Sequence, residues 1–209
     1  MPEPELRFVS PMLEVAQAVE EVGGEELRKC YQCGTCTSLC PWGNLQDFSP
    51  RRLIEMTRLG FEGFEQQTWN CVSCKLCVER CPQQIDIPGI FRSMRAVLLE
   101  WGANPVELNA TLGNLRSEGN PWGECRSKKG RWAEEHDIPA YGSEHTHVLF
   151  ACCANEYDPR NRRIVTAAAH LLGLADVPFG HLGGSGTCCG DQVHSLGGMD
   201  VSGGLRRGE

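Results

Sequence analysis

The chain has 209 residues and a net charge of −7, which argues against nucleic acid as a main partner because phosphate binding needs a basic face. Only 41% of the residues are hydrophobic, and 24 glycines and 12 prolines indicate a loop-rich protein. No segment approaches the roughly 18 apolar residues of a membrane span, and the acidic start at residues 1–10 lacks the features of a secretory signal. We therefore expect a cytoplasmic protein without direct membrane insertion, whose thirteen cysteines are not a disulfide framework.

The first half of the chain predicts short helices around two cysteine-rich loops. Apolar residues at helical spacing predict a helix over 13–22, and a shorter helix is predicted from Glu25 to the first cysteines. Ser49 as N-cap, followed by proline, predicts a helix over 50–59, and a second proline-initiated helix is predicted over 86–101. The side chains predicted to be buried in these two helices are Leu53, Ile54, Met56, Leu59, Ile90, Phe91, Met94, Val97 and Leu98.

Residues 106–145 are predicted to be a connector. They contain a charged run, 126–131, which we interpret as a solvated surface, with a docking patch for an acidic partner as the alternative. The pair His145 and His147 is interpreted as two solvated residues at the start of a strand, because a two-histidine spacing is too short a motif to define a metal site.

After residue 147 the pattern changes to a β-α-β unit. The apolar run 148–151 predicts a buried strand, Asp158 followed by proline predicts a helix through Leu172, and 176–182 predicts a second strand. The side chains predicted to share the buried face of this helix are Ile164, Val165, Ala168 and Leu171. The glycine-rich 183–186 lacks the Lys-Ser/Thr of a phosphate loop.

Eight of the cysteines lie in two copies of one motif, 41 positions apart. Residues 30–41 and 71–82 both read C-x2-C-x2-C-x3-C-P, the run that holds 4Fe-4S clusters in bacterial-type ferredoxins, where the fourth cysteine ligates the other cluster. A zinc site is disfavoured because the third and fourth cysteines of each run do not fit four-coordinate spacing. The predicted ligand sets are Cys30, Cys33, Cys36 and Cys81 for one cluster, and Cys71, Cys74, Cys77 and Cys40 for the other.

These motifs resemble those of the C-type iron–sulfur subunit of heterodisulfide reductase, and of the ferredoxin half of the D-type subunit and related iron–sulfur oxidoreductases. The resemblance covers roughly residues 25–198 and includes both cysteine runs. It also includes the segments 50–56, 84–87, 120–123, 131–133, 151–158 and 187–191. It implies a mainly α protein: an α-helical ferredoxin domain over 1–105, a connector over 106–145, and a partial α/β cysteine-rich domain over 146–209.

The resemblance also implies a possible third iron–sulfur or metal site at Cys153, Cys188 and Cys189. The gap of 34 residues between Cys153 and Cys188 fits the family's cysteine-rich motif, but no final C-x-x-C follows before Glu209. Three interpretations remain open. The segment serves docking only, a separate subunit supplies the missing ligands, or Cys152, Cys153, Cys188 and Cys189 bind a metal alone. Adjacent cysteine pairs favour a thiolate site, although buried free cysteine is common; the isolated Cys125 is interpreted as an ordinary side chain.

The favoured function is an electron-transfer subunit with two 4Fe-4S clusters and no catalytic residues of its own. The resemblance implies partners in a multisubunit oxidoreductase, namely a flavin- or iron–sulfur-containing subunit and a catalytic subunit. One alternative is a catalytic subunit that uses a cluster held by the C-terminal cysteines to reduce a disulfide or similar acceptor. Another is an interaction protein whose clusters are structural or redox-sensing.

Overall fold

The structure is a computed structural model that describes residues 10–207; the expectation about a secretory signal falls mainly on residues outside this range. The chain forms two compact units. The first contains residues 10–105 and 194–199, and the second contains 106–193 and 200–207. Within the described range helices dominate and only two short strands occur, so the predicted mainly α class is confirmed. The assignment of 106–145 as a connector and of 146–209 as a cysteine-rich domain stays a prediction.

The first unit consists of short helices around one apolar core. A π-helical turn (Glu20–Gly24) follows the first helix, and 3-10 turns occupy Glu25–Lys29 and Pro41–Asn44. The α-helices are α1 (Glu14–Val19), α2 (Thr35–Leu39), α3 (Pro50–Leu59), α4 (Glu65–Thr68), α5 (Leu76–Glu79) and α6 (Ile87–Glu100). The core is built mainly from α1, α3 and α6, and the cysteines of both runs pack against it.

Helix α3 begins and ends where its sequence predicts. The hydroxyl of Ser49 accepts a hydrogen bond from the backbone N–H of Arg52, and Pro50 fills the first helical position. Gly60 ends the helix with φ of 70°, and a Cβ there would overlap the backbone of Met12. The buried prediction is confirmed for Leu53 and Ile54 but is wrong for Leu59, which is exposed, because the helix turns Thr57 towards the core instead.

The second unit is built around a small parallel sheet. Strands β1 (His147–Leu149) and β2 (Phe179–His181) pair in parallel, with His147 opposite Phe179, and Ala140 bridges to the other side of β2. The helices are α7 (Val106–Glu118), α8 (Arg131–Glu134), α9 (Cys153–Tyr157), α10 (Pro159–Leu174), α11 (Asp191–Ser195) and α12 (Met199–Arg207), of which α11 and α12 cross the unit boundary. The predicted β-α-β order is confirmed, with α10 between the strands.

Several burial predictions in the second unit are wrong. Ile164 and Leu171 are 64% and 65% exposed, whereas Val165 and Ala169 face the core around Trp132. Helix α10 carries apolar residues on more than one side, and a two-stranded sheet is too small to cover all of them. The prediction of a buried strand over 148–151 is confirmed in part. Val148 and Leu149 lie in β1 and Ala151 is buried, but Val148 and Phe150 are exposed.

Candidate iron–sulfur sites

The two cysteine runs share one backbone geometry. Gln32 and Gly34 have φ of 65° and 84°, and the equivalent residues Ser73 and Lys75 have φ of 55° and 63°. In each run these are the second and fourth positions after the first cysteine, and a short helix, α2 or α5, follows. Alternating right- and left-handed residues turn successive N–H groups to one side, an arrangement that holds anions and iron–sulfur centres.

The eight cysteines of the runs line two cavities in the first unit. The first cavity is lined by Cys30, Cys33, Cys36 and Cys81. The second cavity is lined by Cys71, Cys74, Cys77 and Cys40. Each cavity therefore takes three cysteines from one run and the fourth from the other. Apolar side chains complete the walls, with Ile54, Ile85 and Ile87 in the first cavity and Trp42, Phe48 and Phe91 in the second.

The thiol environments fit a group that carries positive metal ions. Burial raises the pKa of Cys36, of Cys71, and of Cys77, the last to about 12, and neighbouring cysteines add to each shift because their thiolates repel. A hydrogen bond with Thr35 lowers the pKa of the exposed Cys33. Four thiolates in such a cavity need a cationic centre, and iron in cubane clusters prefers soft thiolate ligands.

An unpartnered donor in the second cavity supports the same fit. The indole Nε1–H of Trp42 is buried, and no hydrogen-bond acceptor reaches it from the described part of the chain. A buried donor without a partner is costly, and a sulfur atom of a cluster in this cavity would supply an acceptor. The assignment of individual cysteines to clusters remains a prediction that these observations support.

The two cavities are close neighbours. Helices α2 and α5 pack against each other, and each carries the third cysteine of its run, Cys36 and Cys77. These two thiols are near enough that a thiolate at Cys36 helps to raise the pKa of Cys77.

Arg95 is a residue of this site that the sequence interpretation missed. It lies on the buried side of α6 and donates a hydrogen bond to the carbonyl of Cys71. The sequence could have predicted that Arg95 is buried, because Phe91, Arg95 and Leu98 follow helical spacing i, i+4, i+7 on the apolar face. A charged residue on such a face needs a specific partner.

The C-terminal cysteines lie in the second unit. Cys153 begins α9 and is buried, Cys188 is half-buried, and Cys152 and Cys189 flank them. Cys153 donates a hydrogen bond to Cys188, which lowers the pKa of Cys188 to about 6 and raises that of Cys153. Within residues 10–207, no three Cys, His, Asp or Glu side chains converge closely enough to hold a single metal ion. A third site at Cys153, Cys188 and Cys189 therefore remains a prediction.

The interpretation of the charged run 126–131 as a solvated surface is wrong for Lys129. This side chain is only 7% exposed, and its Nζ donates to the carbonyls of Gly186 and Thr187 at 2.9 and 3.2 Å. Its charge also helps to lower the pKa of Cys188. The solvated interpretation is likewise wrong for His145, whose ring is mostly buried and accepts a hydrogen bond from the N–H of Gly142.

Comparison with known proteins identifies the cysteine-rich region. Residues 29–85 match the 4Fe-4S dicluster domain family. The chain is 34% identical to the EtfAB:quinone oxidoreductase of Syntrophomonas wolfei, over 62% of this chain and 19% of that protein. It is 27% identical to a probable membrane-anchored ferredoxin of Chromohalobacter salexigens, over 80% of this chain and 31% of that protein.

A third relative is the C2 subunit of the H(2)/formate:CoB-CoM heterodisulfide,ferredoxin reductase of Methanococcus maripaludis, which is 33% identical over 46% of this chain and 57% of that protein. The predicted resemblance to the C-type iron–sulfur subunit of heterodisulfide reductase is thereby confirmed. The chain spans between a fifth and just over half of the length of these three relatives. Of the helices in residues 10–207, none combines the length and apolar character that a bilayer crossing requires.

Proposed function

We propose that this chain is an electron-transfer subunit that carries two 4Fe-4S clusters within a larger oxidoreductase. The main support is the arrangement of the eight cysteines around two neighbouring cavities. Each cavity is lined by three cysteines of one run and the fourth cysteine of the other. Cys30, Cys33, Cys36 and Cys81 hold one cluster, and Cys71, Cys74, Cys77 and Cys40 hold the other. Such clusters accept and release single electrons.

Apolar side chains shield each cavity from water, and one exposed cysteine at each cavity leaves it accessible to a redox partner. Ile54 and Ile87 wall the first cavity and Phe91 walls the second, which keeps water from the buried cysteines. Cys33 and Cys74 are exposed, so each cavity reaches the surface beside the second cysteine of its run. A redox partner that docks over either cysteine exchanges electrons across a short distance.

Two of the relatives suggest the kind of partner. One is an EtfAB:quinone oxidoreductase, and another is subunit C2 of a heterodisulfide,ferredoxin reductase. We therefore propose a heterodisulfide-reductase-like complex, in which a flavin- or iron–sulfur-containing subunit lies on one side of this chain and a catalytic subunit on the other. The cytoplasm is the proposed location, because free cluster-binding thiols persist in a reducing compartment.

Anaerobic purification of the full chain tests the proposal. About eight iron atoms and eight sulfides per chain are expected, given four per cubane. In electron paramagnetic resonance (EPR), Cys81→Ser should perturb the same cluster as Cys36→Ser, and Cys40→Ser should perturb the same cluster as Cys77→Ser. Cys125→Ser is the matched control, since Cys125 is exposed and outside both cavities. Colourless protein, or zinc in place of iron, would refute the proposal.

A second candidate function is disulfide-type reduction at a cluster held by the C-terminal cysteines. The hydrogen-bonded pair Cys153 and Cys188 beside the buried Lys129 favours it. It predicts about twelve or more iron atoms and a third iron–sulfur signal. That signal should disappear in a Cys188→Ser, Cys189→Ser double variant; an unchanged iron content of about eight would exclude this candidate.

A further inference from the structure

Arg95 places a buried positive charge beside the second cavity. Its side chain is only 3% exposed. Nε and Nη2 donate to the carbonyl of Thr68 at 3.1 and 2.9 Å, Nη2 donates to the carbonyl of Cys71 at 2.6 Å, and Nη1 donates to the carbonyl of Ser195 at 2.9 Å. The guanidinium also lies 5.7 Å from the ring centroid of Trp69. All of these partners are electrically neutral.

The charge of Arg95 is therefore not compensated by the groups that hold it. Among the ion pairs of residues 10–207, none includes Arg95. Burial lowers the pKa of Arg95, while Cys71 as a thiolate raises it; an arginine nevertheless stays protonated. Because a buried charge is retained only with an opposite charge nearby, the structure calls for an anionic group at the second cavity. A cubane with four thiolate ligands is such a group.

Among residues 10–207, no comparable buried cation is found at the first cavity. Arg58 is the charged group near Cys30, but it is part-exposed and its Nη2 pairs with Glu55 at 2.7 Å. Arg51 at the first cavity and Lys75 at the second are both exposed, so these two solvent-screened charges approximately balance.

Neutral hydrogen bonds to the first cavity do not remove this difference. Gln32 donates to the sulfur of Cys30 at 3.4 Å, which also stabilises negative charge on a cluster. The second cavity has the unpartnered indole N–H of Trp42 in the same role. The first cavity also has the hydroxyl of Thr35, which lies 3.4 Å from the sulfur of Cys33. The buried full charge of Arg95 outweighs these neutral donors, because Coulomb interactions strengthen where water is excluded.

We infer that Arg95 sets the reduction potential of the cluster in the second cavity above that of the cluster in the first. This inference rests on the proposed function. One-electron reduction makes a four-thiolate cluster one unit more negative and forms or breaks no bond, so a nearby buried cation stabilises the reduced form. At equilibrium, the first electron that enters the chain from a low-potential one-electron donor resides beside Arg95.

Dithionite-mediated redox titrations of the full anaerobic protein, followed by EPR, test the inference. The wild type should show two one-electron waves. Arg95→Gln should lower the higher midpoint potential. At a fixed potential, the ratio of reduced to oxidised cluster should fall at least tenfold, which corresponds to a shift of about 59 mV for a one-electron couple. The lower wave should move much less. Arg95→Lys retains the charge and should restore most of the difference. Arg116→Gln, which removes an exposed positive charge in the second unit, should shift neither wave.

The wild-type order of reduction can be assigned without any change at Arg95. Cys74→Ser should perturb the EPR signal of the higher wave and Cys33→Ser that of the lower wave, since these exposed cysteines belong to the second and first cavity. The reverse assignment overturns the inference and leaves the proposed function intact, as does an unchanged higher midpoint in a fully loaded Arg95→Gln protein. If Arg95→Gln fails to fold, the cysteine assignment alone decides. A wild type without two 4Fe-4S signals removes the proposed function itself, and the inference with it.

Discussion

Cysteines in the two units of this chain face different surroundings, although the residue type is the same. In the first unit eight cysteines line two cavities with apolar walls and crowded thiols. In the second unit a hydrogen bond from Cys153 lowers the pKa of Cys188, and the charge of the buried Lys129 adds to this shift. Thiols that surround a cavity need metal ions for their charge, whereas this thiol pair has a counter-charge from the protein. The comparison predicts that the folded structure of the first unit depends more strongly on a bound cofactor than that of the second unit.

Removal of iron is expected to have the largest effect and to act on the first unit. Cysteines of both runs pack against the core that α1, α3 and α6 build, so loss of the clusters withdraws cross-links between distant segments. Chelator with oxidant should abolish cluster absorbance and make residues 10–105 sensitive to limited proteolysis, while 147–181 stays protected. Equal protection of both regions in iron-free protein would contradict the comparison.

Truncation of one core side chain in each unit should also show that only the first unit depends on bound iron, with a smaller effect than removal of the iron. Phe91→Ala and Trp132→Ala each remove a side chain about 1% exposed, one from each unit, and each should destabilise its unit by about 3–5 kcal/mol. Only Phe91→Ala should also reduce bound iron, because Phe91 lines the second cavity. Thermal unfolding and iron content measured on both variants check this expectation, and equal iron loss would count against it.

Loss of the counter-charge should change thiol reactivity in the second unit. Cys188 has a pKa of about 6, because Cys153 donates a hydrogen bond to it and Lys129 lies nearby. It is therefore mainly a thiolate at pH 7, and alkylation should rise with pH through about 6. Lys129→Met should raise that pKa and slow alkylation of Cys188 at pH 6 to 7 several-fold, as mass spectrometry of the alkylated peptide would report.

The control for that experiment is Lys128→Met. Lys128 is exposed and pairs with Glu124, so its loss should leave the pH profile of Cys188 in place. A Lys129→Met profile that overlays the wild type would show that the lysine does not compensate the thiolate.

The smallest expected effects come from helix caps, one in each unit. Ser49 caps α3 and Asp158 caps α10, where its carboxylate accepts from the N–H groups of Arg160 and Asn161. Ser49→Ala and Asp158→Ala should each cost about 1 kcal/mol of unfolding free energy. In denaturant unfolding of cluster-loaded protein, Ser49→Ala should destabilise the first unit, whose unfolding is followed by the loss of cluster absorbance. Asp158→Ala should destabilise the second unit instead. Ser38→Ala is the control. Ser38 is exposed and its hydroxyl donates to the carbonyl of Thr35 in the same helix, so this variant should lose less unfolding free energy.

Local sequence signals predicted the helices well where capping and periodicity agreed. Helix α3 lies between Ser49 and Gly60, and the five residues predicted to be buried in α6 are buried. Burial in α10 was predicted less well, since Ile164 and Leu171 are apolar but lie on a side that no described element covers fully. Periodicity shows which residues share a face; the size of the neighbouring sheet decides how many faces become buried.

The amino-acid sequence by itself determined the duplicated cysteine spacing, and with it the iron–sulfur chemistry, because a tight loop of three thiolates and a proline-terminated fourth depends on near neighbours in the chain. Only the tertiary structure decided which charges are buried. Arg95 meets Thr68, Cys71 and Ser195, and Lys129 meets Gly186 and Thr187. These partners are mostly tens of residues away, and such long-range contacts depend on how the whole core packs.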